Sequence, residues 1–421
     1  MKYAKFFNIT FVSLLVSSIV PLLIWGPFFP DLIVSISVLF FLYHIFKNNN
    51  HHYLINKPFI IFILFCTVSI FCSLISENIL FSLKSSLFYF RIGVFCCFVW
   101  YLIDRDIKFL DFFYYTLMIC YLALVIDGYY QFYFKENIFG IEKFGTNRIS
   151  SFFGDELIMG SYLSRLFPLF FALFVIKKKK NFEIYLICTL FILVDILIYI
   201  SGERTAFFFL NLSTIFIILL IKKYQKFRLF SFLVALITII ILSLNSSGLT
   251  NRMILNPAKN MGIIKSTSKP VIVSPQHDSH FRTAFKMFLD KPILGHGPKM
   301  FRINCSDPKY STGKFPCNTH PHNFYIQLLA ETGLVGFSFL LTAFFYVLYC
   351  SYRQVKSIIL KQERYLSDYQ VCLLAGFLIT LWPFSPNGNF FNNWLSILYI
   401  LPVGFYLHSI YSDKNNYRKL N

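Results

Sequence analysis

Phe182–Lys223 reads FEIYLICTLFILVDILIYI, SGER, TAFFFLNLSTIFIILLI, KK. Two apolar runs, Phe182–Ile200 and Thr205–Ile221, are separated by one very short turn and followed at once by lysines. At about 1.5 Å of rise per residue, some 20 helical residues cross the roughly 30 Å hydrocarbon layer of a bilayer. The short turn makes the two runs antiparallel, so Lys177–Lys180 before them and Lys222/Lys223 after them share one face, with Arg204 at the other. This stretch is a transmembrane hairpin.

The same reading extends along the chain. The predicted spans are Phe7–Trp25, Phe28–Phe46, Pro58–Ile75, Ser85–Ile103, Phe109–Phe132, Leu157–Ile176, Phe182–Ile200, Thr205–Ile221, Phe227–Leu244, Phe324–Cys350, Tyr369–Phe384 and Phe390–Ile410. The fold class is therefore all-α, a polytopic membrane protein of about 12 transmembrane helices. Composition agrees: 56% of the 421 residues are apolar and only 14% charged, with mean hydropathy +0.60. A soluble chain carries charge on about a quarter of its residues. A cytosolic enzyme, a nucleic-acid-binding domain and a disordered chain are all excluded. The 54 Phe and 26 Tyr suit lipid-facing helices and interfacial belts. Lys2 and Lys5 before an apolar run resemble a signal peptide, but the run is long and lacks a small-residue cleavage site, so it is read as an uncleaved first span.

The net charge of +19 sits in loops and is distributed by side. One set of loops holds Lys2/Lys5, Lys47/Lys57, Arg105/Lys108, Lys177–Lys180, Lys222/Lys223/Lys226/Arg228, Arg353/Lys356/Lys361/Arg364 and Lys414/Arg418/Lys419. The short loops of the other side hold Lys84, Lys135, Lys143, Arg148 and Arg204. By the positive-inside rule both termini face the cytoplasm. Three regions follow: a bundle of about nine spans over 1–244, an external loop over 245–323, and about three spans over 324–421. Membrane lipids are the expected partners of the cations, and nucleic acid is not.

The external loop is long for a bare connection, and loops beyond about 15 residues usually carry function or are disordered. Phe281, Ala284, Phe285, Phe288 and Leu289 recur at helical spacing, Asp278 or Ser279 can cap that helix, and Pro292 stops it. It is read as a short amphipathic helix on the outer interface or against the bundle. The loop has eleven Lys/Arg against three Asp, which suits lipid diphosphates, phosphorylated glycans or anionic headgroups alike. Its two cysteines, Cys305 and Cys317, would either pair in an oxidising compartment or stay as thiols. The other eight lie in or beside apolar runs, without metal-ligand spacing. The chain has no internal repeat and no matched pair of broken helices of the transporter kind.

Two arginines fall inside spans, Arg91 and Arg165. Each costs about 3 kcal/mol in lipid if unpaired. They either pair with buried carboxylates such as Asp127 or Asp195, or face a polar cavity and bind substrate. Asp155 and Glu156, at the mouth of a span, are solvated charges or sugar contacts.

Where the long loop re-enters the membrane it reads His320-Pro321-His322-Asn323, and Gly333-x-x-Gly336 follows after nine residues. A histidine at a helix mouth can take up a proton near neutral pH. The four polar residues around it equally suit an interfacial cap. Glu331, nine residues beyond His322, would stand about 13 Å down a continuous helix and pair with a buried arginine. The His322-Asn323-x9-Gly-x-x-Gly pattern resembles that of the bacterial O-antigen ligase family, which is grouped with O-antigen polymerases and related membrane glycan transferases. The Ser201–Ala206 turn, the Pro292-Ile293-Leu294-Gly295-His296-Gly297 segment and the order of spans from about Asp127 onward resemble that family too.

The resemblance implies an inner-membrane enzyme that moves a glycan from undecaprenyl diphosphate to lipid A–core oligosaccharide in lipopolysaccharide biosynthesis, with no metal and no nucleotide cofactor. It implies His322 as the base on the acceptor hydroxyl. Arg204 and Arg282 are implied to steady the departing diphosphate, although Arg282 could instead face lipid headgroups. Phe208 stands where the family often has Leu, a change expected to affect packing alone. Asn323, His320, Arg91 and Arg165 are expected to bind substrate. An O-antigen polymerase, using another lipid-linked glycan as acceptor, is the near alternative, and a protein-glycosylating relative stays open. A lipid-linked glycan transporter is the reading from a different class.

Overall fold

A computed structural model of the chain describes residues 9–143, 148–177, 180–264, 270–271 and 273–412. Lys2, Lys5, Phe7, Lys178, Lys179, Lys265, Lys269, Lys414, Arg418 and Lys419, used in the span and charge reading, lie outside the described residues.

The helices in chain order are α1 (Ile9–Ser17), α2 (Ile19–Trp25), α3 (Phe28–Lys47), α4 (Lys57–Leu74), α5 (Ile79–Ser86), α6 (Phe90–Arg105), α7 (Lys108–Phe134), α8 (Met159–Ile176), α9 (Asn181–Ile200), α10 (Arg204–Leu220), α11 (Gln225–Asn245), α12 (Ser247–Thr250), α13 (Asn256–Asn260), α14 (Pro275–Asp290), α15 (Phe301–Asn304), α16 (Phe324–Ile359), α17 (Asp368–Thr380) and α18 (Asn393–Tyr411). Among the described residues the one β pairing is an isolated bridge between Glu136 and Glu142. The protein is all-helical and multi-pass. Nine helical stretches among the described residues are long and apolar enough to cross a membrane. The other three expected spans fall on shorter apolar helices: Ile9–Trp25, Arg204–Leu220 and Asp368–Thr380.

Several predicted spans are interrupted, for local reasons. Pro21 lacks the N–H that would bond back to Ser17, and the first span divides into α1 and α2 there. Gly26, at φ 135°, and Pro27 then end α2. The fourth span begins earlier than expected, as α5, and turns at Leu87–Tyr89 before α6. By contrast α8 runs unbroken through Pro168. Every residue of α8 except Ser161 is buried, because α7, α9, α10 and α17 surround it. This central helix carries Arg165.

Charges inside the bundle pair differently from the sequence expectation. Arg228, grouped with the loop cations above, is 1% exposed and clamps α11 to α9. Its Nη1 and Nη2 donate to the two oxygens of Asp195 at 2.8 and 3.0 Å, and further bonds reach Ser231 and Thr214. Arg91 pairs with Asp31 of α3 at 2.6 Å and also donates to Ser35. Asp127 accepts from the Ser151 hydroxyl and the Ile138 N–H. Neither Asp127 nor Asp195 therefore serves Arg91 or Arg165.

The 245–323 region is more folded than one amphipathic helix. It contains α12 to α15 and a π-helical turn at Asn251–Leu255. Ala284, Met287, Phe301, Cys305 and Tyr310 make a small core against Ala330, and Cys305 and Cys317 are bonded to each other. α14 starts earlier than expected because Ser274, not Asp278 or Ser279, caps it by accepting the His277 N–H. Its buried face is His280, Thr283, Ala284 and Met287, while Phe285 and Leu289 of the predicted apolar stripe point outward.

Candidate active site

His322 is placed by what flanks it. Asn323 caps α16 with its side-chain oxygen, which accepts the N–H groups of Tyr325 and Ile326 at 3.0 and 3.2 Å. Its amide donates to the carbonyls of Pro383 and Ser385 in the loop between α17 and α18. Asn323 is thus consumed as a cap and does not line the cavity, contrary to its expected substrate contact. One residue earlier, His322 is held at φ 59°, a left-handed conformation unusual for a side chain of this size. Its carbonyl accepts the Asn387 N–H at 2.8 Å, and its ring Nε2 lies 3.0 Å from the Asn318 amide.

The two glycines of the motif explain themselves in the same geometry. α16 is broken at Gly333 (φ 62°, ψ −165°), and the backbone of Pro292–Gly297 fills the break. Leu334 and Val335 donate to the carbonyls of Pro292 and Ile293, while His296 and Gly297 donate to those of Ala330 and Glu331. A Cβ on Gly333 would collide with the Ile293 backbone, and one on Gly295 with that of Glu331. A Cβ on Gly336 would meet the Thr332 side chain. The Gly-x-x-Gly and Pro-x-x-Gly-x-Gly segments are therefore two halves of one joint, which locks α14 and its histidines against the His322 turn. Glu331 sits at this joint, fully buried, accepting from Gln327 at 3.0 Å and from the Phe301 N–H at 3.2 Å. Among the described residues it forms no salt bridge with an arginine, and Arg302 acts on it only electrostatically, correcting the expected pairing.

Around His322 gather three more imidazoles. Ring centroids lie 4.1 Å away for His320, 5.0 Å for His277 and 5.4 Å for His280. The His280 and His322 rings are stacked, and among the described residues no three His, Cys, Asp or Glu side chains converge as a metal would need. Burial pushes the His322 pKa down to about 3, with the three neighbouring rings acting in the same direction. His320 is lowered to about 4, by burial first, as is His277. All three are neutral near pH 7, so each keeps a ring nitrogen able to accept a proton.

His320 and His322 open onto a cavity of about 860 Å³ at one end of the bundle. Its walls come from the α2–α3 break, the segment before α8, the α9–α10 turn, the long loop and the α17–α18 loop. These are the segments that the Lys/Arg alternation assigns to one face. Among the described residues five arginines line it, Arg148, Arg165, Arg204, Arg252 and Arg302, against two carboxylates, Glu156 and Glu203. Glu203 acts electrostatically on Arg148 and Arg252. Both its oxygens accept backbone N–H groups of Gly160 and Ser161, and burial raises its pKa to about 7. Such a concentration of guanidinium groups has the chemistry to bind anions with several oxygens.

Of the residues expected at the site, the structure brings together His320, His322, Arg165 and Arg204. It leaves Arg91 on Asp31 and Arg282 at the surface, 2.8 Å from Asp278 one turn back. The charged residue of α14 thus faces away while His280 of the same helix faces in. Arg148, Arg252, Arg302 and Asn387 were missed, since each comes from a separate polar stretch and carries no local mark. Glu156 lines the cavity as well.

No curated protein matches the chain. The family model described as O-antigen ligase matches residues 186–341, a stretch that holds Arg204, Arg252, Arg302, the four histidines and both halves of the glycine joint. With that match the resemblance read from the sequence holds over residues 186–341, the stretch that is similar to the O-antigen ligase family.

Proposed function

We propose that the protein transfers a glycan from undecaprenyl diphosphate to lipid A–core oligosaccharide at the periplasmic face of the inner membrane. The observation that carries this reading is the five-arginine cavity closed on one side by the neutral His322 cluster. A glycosyl diphosphate needs three things: cations for its phosphates, a base for the incoming hydroxyl, and a way for a polyprenyl chain to stay in lipid. Arg204 and Arg302 supply the first, and Arg302 takes the place that the motif resemblance gave to Arg282. His322 supplies the second, with His320 beside it. The rim at Ile24, Trp25 and Leu395 supplies the third, Trp25 being 79% exposed at the bundle surface.

In the step, the acceptor hydroxyl oxygen forms a bond to the anomeric carbon as the bond from that carbon to the diphosphate oxygen breaks. The bonding pair leaves with the diphosphate, and the hydroxyl proton passes to His322. His322 alone is a weak base, because burial and the three neighbouring imidazoles oppose its protonation. An anionic donor in the cavity acts the other way, favouring the imidazolium as the proton arrives. The arginines and the lipid diphosphate leaving group make the transfer independent of nucleotide and metal in this proposal. The orientation, with both termini in the cytoplasm, follows from the Lys/Arg asymmetry.

The test is a mixture of purified protein, undecaprenyl diphosphate-linked glycan and either lipid A–core or a second lipid-linked glycan, with product mass as the measurement. A lipid A–core product that disappears with His322→Ala is expected. Product with the second lipid-linked glycan alone would make the protein a polymerase. Movement of the donor across vesicles without any covalent product would make it a transporter.

A further inference from the structure

Asn387 lies in the Leu381–Asn392 loop between α17 and α18, outside the 186–341 stretch that matches the family, yet it meets both His322 and Arg165. It is 5% exposed and lines the cavity. Its main chain is fully engaged with the histidine turn. The N–H donates to the His322 carbonyl at 2.8 Å, and the carbonyl oxygen lies 3.3 Å from His320 Nε2. Its side-chain oxygen accepts from Arg165 Nη2 at 2.8 Å. That bond fixes the orientation of the amide, since only the oxygen can face a guanidinium. The amide nitrogen is left buried with no hydrogen-bond partner among the described residues.

Arg165 presents the complementary half. It is 5% exposed, held between the rings of Phe209 and Tyr399 at 4.7 and 4.5 Å, and forms no ion pair among the described residues. Its Nη1 is likewise buried without a hydrogen-bond partner among the described residues. Two adjacent residues on one cavity therefore each hold an unused donor away from water, and one of them carries an uncompensated charge. Leaving them so is costly unless a ligand brings acceptor atoms and negative charge together. A sugar hydroxyl could satisfy the hydrogen bonds but not the charge, whereas a phosphate oxygen satisfies both.

We propose that Arg165 and Asn387 form a phosphate receptor that takes a non-bridging oxygen of the polyprenyl diphosphate. The proposal rests on the donor assigned above. Because the main chain of Asn387 also holds the His322 turn, the receptor and the base share one rigid support, and the diphosphate is registered against the imidazole.

The experiment measures binding of undecaprenyl diphosphate, undecaprenol and inorganic pyrophosphate to the full chain in nanodiscs, with thermal unfolding of each variant. Asn387→Asp keeps both main-chain bonds and places a carboxylate against Arg165. Its unfolding temperature should hold or rise, its affinity for undecaprenyl diphosphate should fall about tenfold or more, and undecaprenol binding should not change. Arg165→Gln, which removes the charge, should show the same loss of diphosphate affinity without unfolding. Diphosphate binding by both variants within about twofold of wild type would overturn the receptor. If wild type fails to bind undecaprenyl diphosphate but binds pyrophosphate in an Asn387-dependent way, the receptor stands and the lipid donor falls. Binding of neither would sink both.

Discussion

Two arginines are buried to nearly the same depth in this bundle, and they have opposite surroundings. Arg228 meets both oxygens of Asp195, Thr214 and Ser231 between α9, α10 and α11. Arg165, on the central helix α8, meets an amide oxygen, a serine hydroxyl at 3.4 Å and two aromatic faces, with no carboxylate. The first arrangement carries its own counter-charge, although Arg228 Nε has no hydrogen-bond partner among the described residues, and it serves to hold helices together. The second lacks a counter-charge among the described residues, which is the basis for proposing that an anion completes it. Burial of a charge therefore says little about function until its counter-charge is located.

The strongest way to break this comparison is to remove the unpaired charge. Arg165→Met should lower glycan transfer by about a thousandfold, with no loss of thermal stability, because it deletes a cost in the free protein and a donor in the transition state. A stability loss with normal transfer per folded molecule would make Arg165 structural. Removing the counter-charge of the other arginine should do the reverse. Asp195→Ala leaves Arg228 buried alone and should cost about 3–5 kcal/mol in detergent unfolding, with transfer per folded molecule unchanged. Adding Arg228→Met to Asp195→Leu should restore much of that stability.

Between these extremes stands the glycine joint, where fold and chemistry are tied. Gly333→Ala forces a side chain into a left-handed position against the Ile293 backbone and should cost about 2 kcal/mol or more. Transfer should fall with it, since the joint fixes the histidine turn. This is a signature that neither arginine variant shares.

A smaller effect should appear with pH. His277, His320 and His322 have pKa values lowered in the folded protein to about 4, 4 and 3, burial being the largest cause for each. The unfolded chain, titrating near 6.5, then binds more protons than the folded one below that pH. Stability is full above about 6.5 and falls as pH drops toward 4, by up to ~1.4 kcal/mol per pH unit for each histidine. The unfolding midpoint scanned from pH 7 to 5 should fall, and fall less in His277→Gln. The smallest effect belongs to Arg91→Met. Its partly exposed pair with Asp31 should be worth under about 1 kcal/mol, and transfer should survive. A lost activity there would return Arg91 to the substrate site.

Much of the candidate site was legible because it follows from short-range pattern. His322 and the glycine spacing were readable as a motif, and Arg204 as a cation confined to a four-residue turn. Arg148, Arg252 and Arg302 were not, since a cation in a polar stretch looks the same whether solvated or gathered into a cavity. Arg228 shows the error from the other side. It follows Lys222, Lys223 and Lys226 and was counted with them, but the helical turn carries it inward to Asp195, 33 positions earlier in the chain.

Sequence alone determined that the chain is a helical membrane protein, which loops share a face, and which histidine heads the motif. These depend on run length, hydropathy and charge bias, all of which are local properties of the polymer. The tertiary structure decided which guanidinium groups meet the histidines, that Asn323 caps rather than binds, that Arg282 turns outward, and that Asn387 supports the His322 turn. Each of those depends on helix rotation and on contacts between segments far apart in the chain, and no window of residues contains that information.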